Sequence, residues 1–139
     1  MASWDEVRAH VKATFAVVRD APDGIAMSWK LALAGHELVQ GVGIAPITIE
    51  GRSWLTMIAD LCTEAELPLR TALLYQDRLP IGAIVLRKEM FLLKHNLPLD
   101  TGYEELDFRI RVLAHEAARL RLNLKSRTPA GDPFGNYAE

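Results

Sequence analysis

Among the side chains that could do proton-transfer, nucleophilic or metal chemistry, the four histidines and the single cysteine stand apart from one another. His115-Glu116 begins like a His-Glu-x-x-His zinc site, but no second histidine follows at the spacing that motif needs, so His115 reads as a helix-surface residue. His95 reads as a partly buried packing residue at a strand end, and His10 and His36 read as solvent-facing. Cys62 has no neighbouring histidine or second cysteine, which predicts an inert, largely buried thiol. Gly41-x-Gly43 lies within a strand pattern and opens no helix, so it offers no phosphate loop. Glu104, Glu105 and Asp107 precede Arg109, Arg111, Arg119, Arg121 and Lys125, a gradient that complements a helix macrodipole better than it serves an acid–base pair. No catalytic residue, metal or cofactor is therefore expected.

The elements that must position these residues form one domain. A chain of 139 residues buries roughly 68% of its unfolded surface in a single core. Half the residues are hydrophobic, and 16 basic against 18 acidic residues leave a net charge of −2. That balance gives no pull toward nucleic acid or an anionic membrane. No apolar run approaches the roughly 20 residues of a membrane helix. Met1 to Glu6 lacks the basic and apolar regions of a secretory signal. With one cysteine there is no intrachain disulfide, and a cytoplasmic protein is the expectation.

Periodicity assigns the elements. Ser3 and Glu6 have capping-box spacing, and Trp4, Val7, Val11, Phe15 and Val18 form one helical stripe that Pro22-Asp23-Gly24 stops. From Ile25 to Ala34 the period changes to two, with Met27, Trp29, Leu31 and Leu33 on a bulky face. Leu38–Ile49 reads as a second strand interrupted by Gly41, Gly43 and Pro46, and Ser53–Ala59 as a third, making an antiparallel meander. A helix starts at Thr63 or Leu67 and closes near Asp77. Ile81–Leu86 and Met90–His95 pair as a hairpin that Pro98 ends. Thr101 and Glu104 then cap the longest helix, whose buried stripe is Tyr103, Leu106, Ile110, Leu113, Ala117, Leu120 and Leu124. The prediction is an α+β fold, helix-βββ-helix-ββ-helix with an antiparallel sheet, over residues 1–124, followed by an irregular or mobile tail over 125–139.

Two features exceed core-building. The long helix carries Phe108, Val112 and Leu122 nearly opposite its main stripe, which suggests packing against a second chain as well as the sheet. The alternative is that Phe134 to Tyr137 folds back over them. Trp29 and Trp54, with Met27 and Met57, fall on strands expected to be near neighbours, where a Met-rich aromatic surface could accept partner segments.

The element order resembles the type III secretion chaperone-like fold, including the YbjN family. The likeness is carried by Leu69-Arg70-Thr71-Ala72-Leu73-Leu74-Tyr75-Gln76, then Leu79 to Leu86, Met90 to His95 and Leu97-Pro98-Leu99 ahead of the closing helix. The resemblance implies a small cytoplasmic protein without catalytic residues, often homodimeric, that binds an extended stretch of a partner protein. Transferred by position, the partner site is Val11, Phe15, Trp29, Leu31 and Trp54, with Phe108, Val112 and Leu122 as a dimer or second interface. Its near-neutral charge departs from the usual acidic chaperone and leaves a YbjN-like regulator equally open. The alternatives are a small-molecule binder or enzyme, with His95 near Arg70 or Tyr75 in a pocket between sheet and helices, and an immunity-type protein.

Overall fold

In the computed structural model, residues 3–125 are described; the expected tail over 125–139 lies outside them but for Lys125, which ends the last helix. The first helix, α1 (Trp4–Thr14), starts where the Ser3 hydroxyl accepts the Glu6 N–H at 3.1 Å. It stops earlier than its apolar stripe suggests, because Phe15 is already extended. Val17–Ala21 is a strand, β1, so four strands and not three precede the second helix. The β-branched pair Val17-Val18 suits a strand better than a last helical turn, and Asp20 anchors it by accepting ion pairs from Arg8 and Lys12 of α1.

β2 (Gly24–Leu33), β3 (His36–Ile49) and β4 (Arg52–Thr63) continue the meander, and Pro46 sits within the ladder opposite Leu55. Gly41 and Gly43 do not break β3; a Cβ on Gly43 would touch the Ile58 side chain at 3.4 Å. β4 runs four residues past its expected end, carrying Cys62 into the sheet. The Thr63–Glu66 box does form, with the Glu66 carboxylate accepting from the Thr63 N–H and hydroxyl, but it closes a separate 3-10 turn over Glu64–Glu66. α2 (Leu69–Gln76) begins only after Pro68.

The chain then crosses to the far edge. β5 (Ala83–Arg87) is outermost, and β6 (Met90–Pro98) turns back between it and β4, giving the antiparallel order β1-β2-β3-β4-β6-β5. Gly82 leads β5 at φ +78°, and a Cβ there would meet the Lys94 carbonyl oxygen at 2.9 Å. Beyond Pro98 the Thr101 hydroxyl donates to the Pro98 carbonyl at 2.7 Å, so the expected capping box is not made, and α3 (Tyr103–Lys125) starts at Tyr103.

The core lies on one face of the sheet. Leu106, Ile110, Leu113 and Leu120 of α3 are buried there with Val7, Val11, Met27, Ile44, Leu55, Met57 and Leu93. Each large aliphatic side chain so buried stabilises the fold by roughly 1.5–3 kcal/mol before entropic costs. The opposite face presents the half-exposed Ala26, Ser28, Gly41, Gly43, Thr56 and Ile58.

Within the core one polar side chain is wholly buried. β3 and β4 pair only as far as Val42 and Ala59, after which they diverge. Gln40 fills the fork: its Nε2 donates to the Gly41 and Asp60 carbonyls, each at 3.0 Å, and its Oε1 accepts from Arg121 at 3.0 Å. Replacing it by an apolar residue of similar size strands two carbonyls and leaves Arg121 with the Val39 carbonyl as its acceptor. Gln40→Leu is expected to lower stability by about 2–3 kcal/mol, read as a shift of the urea midpoint at unchanged slope; wild-type stability would show that the fork does not depend on Gln40.

Candidate functional site

Because α1 ends at Thr14 while α3 lies across the middle of the sheet, Trp29 and Leu31 of β2 lie between the two, uncovered by either helix. The result is a groove of about 770 Å³. Phe15 closes it at one end, its ring 5.6 Å from that of Trp29 and tilted by 34°. Phe108 and Val112 of α3 form the other wall, and Phe108 is 58% exposed. The Arg111 guanidinium stands 5.3 Å from the Phe15 ring centroid, a cation–π geometry, and makes no ion pair with a described residue. His115 and Glu116 line the far rim, with Glu116 held by Arg119 at 2.6 Å.

The structure thus brings together residues from both of the sequence-derived sets. Phe15, Trp29 and Leu31, expected as one partner surface, and Phe108 and Val112, expected as a separate interface, line the same groove. Val11 is wholly buried and offers no surface. Leu122 is half-buried and does not line the groove.

Trp54 does not line it either, and the expected proximity of Trp54 to Trp29 is corrected by register. Trp29 pairs with Gln40 and Trp54 with Ile47. These β3 positions are seven residues apart, or about 23 Å, and their odd separation puts the tryptophans on opposite faces. Arg111 belongs to the site and was read only as part of the charge gradient. Its place three residues after Phe108 and beside Val112 is the signal that points to it.

His10, His95 and Cys62 lie outside the groove. His10 is not free at the surface: its Nε2 lies 2.7 Å from the Asp107 carboxylate and its ring stacks on Tyr103 at 4.1 Å, tying α1 to α3. His95 meets Arg109 at 3.1 Å. Among the described residues no three His, Cys, Asp or Glu side chains gather as a metal site. Cys62 is buried, and burial, with a smaller contribution from Glu66, pushes its thiol up to about 11. At about pH 8 its reaction with a thiol reagent should run at least about tenfold slower than in the unfolded chain; equal rates would mean that the thiol is reached without unfolding.

His95 also makes acid stability testable. Burial, and then the neighbouring Arg109 charge, hold its imidazole below the ordinary value, so the ring is neutral and accepts from Arg109. A group that binds its proton less readily when folded leaves stability intact above the ordinary value, about 6.5. Stability is then lost as pH falls through that value toward the folded one. His95→Gln keeps an acceptor for Arg109 and removes this loss, so the variant should lose less stability than wild type between about pH 7 and about pH 5, measured by urea unfolding. Equal losses would remove His95 from the account.

Sequence comparison names no relative for this arrangement: neither a scan of protein-family models nor a search of curated proteins finds a match to the chain.

Proposed function

We propose that this protein is a non-enzymatic binding module that holds an amphipathic segment of a partner protein in the groove between β2 and α3. The observation that carries the reading is a nearly continuous apolar surface, Phe15, Trp29, Leu31, Phe108 and Val112, with a cation set into it, Arg111, that has no ion-pair partner among the described residues. Contiguous, partly exposed aromatics around an arginine that pairs with no described carboxylate have the composition of interface hot spots. The segment that fits has apolar side chains on one side and a carboxylate placed to meet Arg111.

The likeness to the type III secretion chaperone-like fold and the YbjN family supports the same class. It adds to the proposal a cytoplasmic, homodimeric adaptor or regulator. The additional strand β1 is a departure from the element order on which that likeness rests.

A displayed library of short peptides, selected on the immobilised protein, tests the reading. Enriched sequences should pair aromatic or aliphatic positions with Asp or Glu. Phe108→Ala, at an exposed position, should leave stability within about 0.5 kcal/mol and weaken the enriched peptides about tenfold or more. Arg111→Glu should reverse the preference toward Lys and Arg. Failure to enrich any sequence, or enrichment indifferent to both variants, would overturn the assignment.

A further inference from the structure

The helix-free face of the sheet carries a second cavity, of about 270 Å³, whose lining has a different chemistry. The register sets one row across this face: Arg19 pairs with Ala26, Ala26 with Gly43, and Gly43 with Ile58. Small residues at the middle of that row form a floor, Ile58 a wall, and Arg19 one end. Arg87 lines the same cavity, although it comes from β5 at the other edge of the sheet. The sheet therefore coils enough to bring arginines of both edge strands over a common space. Neither arginine makes an ion pair with a described residue. Asp23 is the one carboxylate in the lining, which leaves a formal charge of +1.

Thr56 supplies the independent observation. It lines this cavity, and its hydroxyl oxygen is buried without a hydrogen-bond partner among the described residues. A buried hydroxyl left unpaired costs stability, and valine would fill the same volume without that cost. The hydroxyl has a use only if something in the cavity bonds to it.

We propose that this cavity binds a small monoanionic organic acid. Its carboxylate lies between Arg19 and Arg87, its apolar body rests on the Gly43–Ile58 floor and wall, and a polar atom meets the Thr56 hydroxyl. The space equals roughly nine water volumes, which suits an acid of roughly four to eight carbons. A single negative charge matches the lining.

The test is a panel of such monocarboxylic acids, each added to the whole protein and read by thermal shift and calorimetry, with inorganic phosphate as the comparison anion. At least one acid should raise the melting temperature and bind more tightly than phosphate. Arg19→Gln and Arg87→Gln should each weaken it about tenfold. Thr56→Val should weaken it several-fold while leaving the ligand-free protein as stable as wild type or more so. Absence of binding by every acid overturns the proposal. So does binding that ignores all three substitutions, or a phosphate affinity equal to that of the acids. Phe108→Ala should leave acid binding unchanged, which separates this site from the groove.

Discussion

Everything else in the molecule depends on one packing constraint, the burial of a single stripe of α3 against a single face of the sheet. Leu106, Ile110, Leu113, Ala117 and Leu120 recur at three- and four-residue steps, and opposite them Leu55, Met57 and Ala59 of β4 recur at steps of two. Neither element could hide its apolar side alone. Once they are joined, the strand period decides the rest. Along β2, β3, β4 and β6 the residues directly under α3 are core, and their neighbours are left on the opposite face. The groove lies at the margin of this contact, where the helix has covered β3 and β4 and leaves Trp29 and Leu31 of β2 only half-buried.

A one-sided core leaves strand ends and edges to be closed by polar side chains, and two glutamines do this. A carboxamide carries a donor and an acceptor at about the spacing of a peptide unit, so it can stand in for a missing strand residue. Gln40 supplies the donor half of this in the fork between β3 and β4, while its oxygen accepts from Arg121. Gln76 supplies both halves at the start of β5, accepting the Ile84 N–H and donating to the Gly82 carbonyl. An edge occupied in this manner is a poorer template for another chain's strand.

The parts of this fold legible in the sequence were those whose period was unbroken. The α3 stripe, the alternation of β2 and the hairpin of β5 and β6 are each written in consecutive residues, so local pattern suffices. β1 was hidden because Val18 continues a helical stripe as well as it begins a strand, and the choice is settled by Asp20 meeting Arg8 and Lys12. The distance between Trp29 and Trp54 depends on register, which alternation does not encode. The groove draws on Phe15, on Trp29 and Leu31, and on Phe108 and Val112, three stretches whose meeting is a matter of tertiary packing. Thr56 was invisible for the opposite reason, since an orphan hydroxyl exists only when its surroundings are known.

The His10–Asp107 contact joins residues 97 positions apart, and this bears on the order in which the molecule is made. The meander from β1 to β4 closes through neighbours in sequence and can form early, because short loops cost little entropy. One wall of the groove belongs to that early part, but Phe108 follows Trp29 by 79 residues and arrives only with the last helix. During synthesis the chain therefore displays Phe15, Trp29 and Leu31 with nothing opposite them. The groove is completed as one of the final events of folding, so a chain truncated before α3 would keep one apolar wall and lack Phe108, Val112 and Arg111.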